Sequence, residues 1–262
     1  MADDEPLRTG WEPGCPPEDN VTQATLWNTA DRLEHHTLAL GGQFERDDEW
    51  VLADGRSKCS YLNMAVALQP VTTPDTLARP EAFFDSPGGW VLVSPWPLPD
   101  LSGPGRLLLG HPPFMVRPPG GNAPRPPAEL VVEEATTPEQ VHDFERVLID
   151  GVPLDQLAGS RPGALFVPHA VAPARLFVGR VEGRPVTAAA GTASHGVVQV
   201  EFVATLPDAR GRGYGEAATW AATTIDPSLP AVLLASDPGR PVYERMGYLA
   251  ISRWSLWVCG LG

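Results

Sequence analysis

The chain has 262 residues, 43% of them hydrophobic and 19% charged, enough for a large buried core and too apolar for an unfolded chain. Its 19 basic and 32 acidic residues leave a net charge of −13, so the molecule as a whole repels nucleic acid and anionic lipid and attracts cations. Cys15, Cys59 and Cys259 are odd in number and far apart, which supports neither a disulfide framework nor a zinc site and points to a reducing compartment.

The first residues, MADDEPLRTG, are acidic and polar, and no apolar run approaches the ~20 residues of a membrane helix, so a cytoplasmic location without membrane contact is expected. The segment TLWNTADRLEHHTLAL predicts a helix, EWVLADGRS and YLNMAVALQP a pair of strands, and TTPDTLARPEAFF followed by GWVLVSPWP a helix and then a strand. The 30 prolines and 26 glycines make up about a fifth of the chain against a usual ~12%, which forecasts many loops. They concentrate in RPPGGNAPRPPAE, residues 117–129, read as a linker between an amino-terminal α/β domain (1–116) and a carboxyl-terminal domain (130–262).

The carboxyl half opens with the strand-like ELVVEEATT and a helix start at Thr137-Pro138-Glu139-Gln140, where Thr137 caps, Pro138 suits the first turn and Gln140 completes a capping box. Val141, Phe144, Val147 and Leu148 then form an apolar helix face. Two strands turn at Glu182-Gly183 in ARLFVGRVEGRPVTAAAGTA, and GVVQVEFVATLP continues the meander. The helical GEAATWAATTID, the buried strand PAVLLAS, the short helix RPVYERMGY and a last strand LAISRWSLWV complete the order β-α-β-β-β-α-β-α-β, an α/β layer on a mixed sheet. Thr72-Thr73-Pro74-Asp75 echoes Thr136-Thr137-Pro138-Glu139; ordinary helix-start grammar accounts for the echo without a duplication.

Between the third strand of the meander and the next helix lies Arg210-Gly211-Arg212-Gly213-Tyr214-Gly215. The first amides of a helix lack intrahelical acceptors and carry the positive end of the helix dipole, glycines clear the approach, and two arginines add charge, so the turn suits an anion. Its spacing is neither G-x-G-x-x-G nor a P-loop, which disfavours dinucleotides and nucleoside triphosphates. Tight backbone packing alone would explain the glycines equally well.

Over roughly residues 130–258 the sequence resembles the GCN5-related N-acetyltransferases. VEFVATLPDARGRGYG resembles that family's acetyl-coenzyme A signature, Arg/Gln-x-x-Gly-x-Gly/Ala, with Arg210, Gly213 and Gly215 matching. LLASDPGRPVYERMGY resembles its next block, with Tyr243, Gly247 and Tyr248 in place. The resemblance implies a mixed, mostly antiparallel sheet flanked by helices, with an amino-terminal half that fits a worn copy of the same fold. It further implies acetyl-CoA as co-substrate, no metal, a pyrophosphate held by residues 210–215, and a bulged strand that offers its backbone at Val203, Ala204 and Thr205 to pantetheine and thioester. Ser236 stands where many members have asparagine, which leaves one coenzyme contact weaker. The amino half has no second signature, so one coenzyme site per chain is expected.

By the same resemblance Tyr243 is the acid that protonates the departing thiolate; the competing reading is a tyrosine that anchors its helix. The amide of Val203 or Ala204 is expected to polarise the thioester carbonyl. Glu201 is the candidate base, because strand alternation places residues 199, 201 and 203 on one side; an exposed strand carboxylate is its plain alternative. His169 and His195 are rival bases in loop contexts, and His111 with some of the eight tryptophans would wall an acceptor pocket if the halves overhang. Trp90, Trp96, Trp254 and Trp257 otherwise read as core. The expected reaction is acetyl transfer to a primary amine of a small cationic molecule or peptide, in a monomer or homodimer. The alternative is an acyl-CoA sensor without turnover.

Overall fold

The computed structural model describes residues 20–86, 88–152, 163–166 and 173–261. Cys15 and His169 lie outside them. Helix α1 (Val21–Ala39) begins where the Asn20 side chain accepts the amides of Thr22 and Gln23. The amino half continues with β1 (Gln43–Arg46), β2 (Trp50–Asp54), β3 (Asn63–Ala67), the six-residue α2 (Ala78–Phe83), β4 (Trp90–Ser94), β5 (Leu107–Gly110) and β6 (Pro113–Arg117). The carboxyl half comprises β7 (Leu130–Glu134), α3 (Pro138–Gly151), β8 (Arg175–Val181), β9 (Arg184–Ser194), β10 (Val197–Thr205), α4 (Tyr214–Thr223), β11 (Ala231–Leu234), α5 (Arg240–Arg245), β12 (Leu249–Arg253) and β13 (Ser255–Cys259).

Local grammar accounts for much of this. Thr137 and Gln140 form the expected capping box, with Gln140 N–H on Thr137 Oγ1 at 3.3 Å and Thr137 N–H on Gln140 Oε1 at 3.0 Å. The Glu182-Gly183 turn has φ of 50° and 81°, a left-handed pair that joins β8 to β9.

Two departures matter. LAISRWSLWV is two strands broken at Trp254, and GHPPFMVRPP, to which the sequence reading assigns no strand, contains β6. Pro113 is the first residue of that strand, a position where a missing donor is tolerated.

Both strands cross the expected division. The six-stranded sheet runs β1-β2-β3-β4-β13-β5 and the seven-stranded sheet β12-β6-β11-β10-β9-β8-β7. The segment 117–129 therefore does not separate the sheets: β6 lies between β11 and β12, and β13 between β4 and β5, antiparallel to both neighbours in each case. The exchange is reciprocal. Each half contributes an antiparallel meander (β1-β2-β3; β8-β9-β10), a parallel crossover (β3 to β4; β10 to β11) and an edge strand (β5; β12), and each donates its last strand to the other half.

A shared core cements the exchange. Phe114 of β6, Val197 of β10, Val232 of β11 and Trp254 pack with Leu26 and Ala30 of α1 and with Val51, Val66 and Val91 of the amino sheet. The polar face of α1 docks on the carboxyl sheet, where the Asn28 amide donates to Thr192 O at 2.9 Å and Thr29 Oγ1 to Gln199 Oε1 at 3.0 Å. Trp90, Trp257 and Trp96 fill the amino core, as the sequence reading favours.

Candidate functional site

The site begins with a fault in β10. Pairing with β9 is regular to Glu201↔Ala190 and resumes at Ala204↔Ala188, so Phe202 and Val203 oppose Ala189 in a bulge where Phe202 takes φ 54°. Glu201 and Phe202 both fall on the side of α1 and α3, whereas Val203 packs with α4 residues and Tyr243. This corrects the expectation that residues 199, 201 and 203 share a face. Simple alternation fails across a two-for-one bulge.

The bulge also opens the sheet. β10 and β11 pair only at Val198↔Ala231 and Gln199↔Val232, and beyond these the strands part. A cleft of about 780 Å³ occupies the gap at their carboxyl ends. Such a crevice, at a parallel pair's carboxyl ends, is where α/β sheets bind ligands. Val203, Ala204 and Thr205 line one wall, Arg210, Gly211 and residues 213–216 the floor, and Ser236, Val242 and Tyr243 the other wall.

The turn is built for close approach. Gly211 and Gly213 have φ of 74° and 79°, in the left-handed region that costs other residues ~1–2 kcal/mol. A Cβ on Gly215 would stand 2.8 Å from Thr205 Oγ1. Ala217 N–H reaches Gly213 O at 3.1 Å, and the amides before it head the helix without intrahelical acceptors. These features fit the pyrophosphate of an acyl coenzyme, with its negative charge on the amide end of α4.

The side chains at the turn are less direct than the sequence implied. The guanidinium of Arg210 donates to Thr205 O at 3.1 Å and Gly151 O at 2.7 Å, so it fastens the turn to β10 and α3. Tyr214 is buried among Leu130, Val186 and Ala209, and its hydroxyl donates to Glu129 at 2.8 Å, which leaves its backbone for the cleft. Ser236 Oγ accepts Gly239 N–H at 3.1 Å at the start of α5. Arg212 is exposed at the turn and makes no side-chain hydrogen bond or ion pair among the described residues.

Tyr243 stands half-buried on α5, edge-on to Tyr248 with ring centroids 6.0 Å apart, and its hydroxyl makes no hydrogen bond among the described residues. Burial pushes its pKa up to about 12, so the phenol keeps its proton at neutral pH.

Glu201 lines a second, smaller cavity of about 90 Å³ that reaches from α1 and the amino sheet to Leu233 and Leu234 of β11. It forms an ion pair with Arg32 of α1, whose Nη2 donates to Glu201 Oε1 at 2.9 Å. Burial raises the pKa of Glu201, with Arg32 opposing. The structure thus separates Tyr243 and Glu201 into two cavities with no lining residue in common.

The other candidates stand elsewhere. His195 forms the β9–β10 turn at φ 50° and contacts Asp31 at 2.6 Å, and His111 contacts Ser255 at 3.2 Å; neither lines either cavity. Trp254 does line the smaller one. Cys59 and Cys259 are buried free thiols whose pKa burial raises. Among the described residues no cluster of His, Cys, Asp or Glu could hold a metal ion, and no helix is long and apolar enough to cross a membrane.

The fold has solved relatives. A GCN5-related N-acetyltransferase from Kribbella flavida aligns with a TM-score of 0.62 and 22% identity, over 89% of this chain and 96% of that one. The chain has the fold of the GCN5-related N-acetyltransferases. A GNAT-family protein from Novosphingobium aromaticivorans aligns with a TM-score of 0.56 and 17% identity, over 89% and 96% of the two chains. A conserved protein of unknown function from Staphylococcus epidermidis aligns with a TM-score of 0.55 and 13% identity, over 82% and 93%. The likeness spans both halves, so the GNAT-like pattern includes the amino-terminal sheet. No protein-family model matches the sequence, and no curated protein matches it.

Proposed function

We propose that the chain transfers the acetyl group of acetyl-CoA to a primary amine of a small molecule or peptide. The reading rests chiefly on one observation: the gap between β10 and β11 is bordered by unpaired helix-start amides on one side and by the unbonded, protonated hydroxyl of Tyr243 on the other. Residues 211–216 bind and orient the pyrophosphate, and the bulge at Val203 supplies backbone groups freed from the ladder for pantetheine and carbonyl. Tyr243 passes its proton to the sulfur as the C–S bond breaks. Glu201, with its raised pKa, receives the proton of the attacking amine once Arg32 releases it. The surplus of acidic residues draws an ammonium group toward the protein.

Thiol release from acetyl-CoA, measured across a panel of amino acids, polyamines, aminoglycosides and peptide amino termini, tests the proposal. Turnover with any member supports it. Coenzyme binding with silence across the panel favours an acyl-CoA sensor, a reading to which the engagement of Glu201 by Arg32 lends weight.

A further inference from the structure

Phe202 holds a backbone conformation that aromatic residues avoid. Its φ of 54° lies in the left-handed region, where the β-carbon crowds the following carbonyl, and such strain persists only where neighbours enforce it. Two neighbours do so. The ring of Phe166 meets Phe202 edge-on, with centroids 5.1 Å apart and planes at 85°, and the Arg32 guanidinium lies over the Phe202 ring at 5.5 Å from its centroid.

Phe166 is itself fixed from two elements. Its ring packs edge-on against Phe144 of α3 at 5.2 Å and tilted against His36 of α1 at 4.9 Å. Both backbone polar groups of the preceding residue are taken: Leu165 N–H donates to Glu145 at 2.6 Å, and Leu165 O accepts from His36 Nε2 at 2.6 Å. Glu145 also accepts Gly163 N–H at 2.8 Å and is only 1% exposed, a buried carboxylate given over to this segment. Arg32 and His36 stand one turn apart on α1, so the amino half reaches the bulge through both.

The bulge matters because Val203 follows Phe202. Turning Phe202 about φ toward the extended region rotates the peptide that joins it to Val203, and so re-aims the Val203 amide in the wall of the cleft. Resting on the transfer reading above, we propose that Phe166 is a positioning residue for the thioester: by pinning Phe202 in its left-handed conformation, it aims the Val203 N–H at the carbonyl oxygen of acetyl-CoA. Phe166 lines neither cavity, so it acts on the chemistry without touching the coenzyme.

The test compares acetyl-CoA with S-ethyl-CoA, a thioether of the same length in which two hydrogens replace the carbonyl oxygen, by calorimetric titration of the full chain. A carbonyl held by one amide should give acetyl-CoA roughly 2–10-fold the affinity of the thioether. Phe166→Leu keeps most of the apolar volume and removes the ring edge. It should erase that preference and leave affinity for S-ethyl-CoA unchanged; Phe166→Met provides the reading if the leucine variant does not fold. Phe202→Gly should keep the preference, because glycine adopts a left-handed φ freely, and adding Phe166→Leu to it should then remove nothing. A residue that merely fills the core would lower Tm in both backgrounds and move the preference in neither.

A preference that survives Phe166→Leu, or is lost to the same extent in the Phe202→Gly background, overturns the proposal and leaves the transfer reading standing. Equal affinities for the two ligands in the native chain overturn it as well. Binding of neither ligand defeats the transfer reading, and this proposal with it. A preference that depends on Phe166 in a chain that acetylates no amine supports the positioning role and favours the sensor.

Discussion

The two sheets share one plan, yet only one of them opens. In the amino half the crossover from β3 to β4 pairs at Met64↔Val91, Ala65↔Leu92 and Val66↔Val93, and β3 pairs with β2 along its whole length. In the carboxyl half the equivalent strand is bulged and the parallel pairing stops after two residues. The connections differ in the same sense. The amino crossover carries a 3-10 turn at Pro74–Leu77 and the short α2, with Leu77 in the core, whereas the carboxyl crossover carries the glycine turn and the ten-residue α4. A binding cleft in this fold thus comes from giving up ladder hydrogen bonds and presenting a helix start. A half that keeps its ladder serves as support, here by supplying α1 and β6.

Breaking the support should have the largest effect. Because β6 and β13 are exchanged, residues 118–262 alone leave β12 without a neighbour and expose the shared core, and residues 1–117 alone lack β13. Neither piece should fold by circular dichroism when expressed by itself. Protease nicking within 118–126 of the intact chain should leave two fragments that migrate together under native conditions. Independent folding of residues 118–262 would show that the exchange is dispensable.

Next in size is the chemistry of the open half. Tyr243→Phe keeps the ring and its packing on Tyr248 but removes the proton, so kcat should fall by roughly 10²–10⁴-fold with acetyl-CoA affinity nearly unchanged. The pH profile sharpens this. Glu201 must be ionised to act, and its pKa is raised above 4.5, so activity should be lost as pH falls through a limb above the usual carboxylate range. Tyr243, at about 12, should impose no loss through pH 9. An acid limb at 4.5 or below, or a Phe variant with full rate, would place the chemistry on other groups.

A smaller effect separates support from site. Thr137→Ala removes the cap of α3 at the end opposite Gly151, the residue to which Arg210 is bonded, and should lower stability by about 1 kcal/mol, read as a shift of a few degrees in Tm. Coenzyme affinity should be unchanged.

The glycine turn was legible in the sequence because it needs particular residues: Gly213 sits at φ 79°, and Gly215 lies against Thr205. The capping box at Thr137 and the meander were legible for the same local reason. The bulge was implied by the family resemblance alone, since Phe202 at φ 54° is a residue that gives no sign of a left-handed backbone, and strand alternation was applied across it. The side of Glu201 was therefore misread. Strand β6 hid behind prolines that are harmless at its ends, and the exchange of β6 and β13 is a pairing between segments more than 100 residues apart in sequence.

Arg32 was missed altogether. Its signal is present in retrospect: Asn28, Thr29 and Arg32 lie three and four positions apart on a helix that is otherwise rich in buried residues, a polar stripe that needs a polar partner.

Calorimetric titration with acetyl-CoA of the native chain and of Gly215→Val tests the central contrast most directly. One site per chain is expected, in the carboxyl half alone, with affinity at least ~10-fold weaker in the variant, whose added carbons collide with Thr205 Oγ1 and crowd the floor of the cleft. Two sites per chain, no binding, or undiminished affinity in a folded Gly215→Val protein would contradict the account.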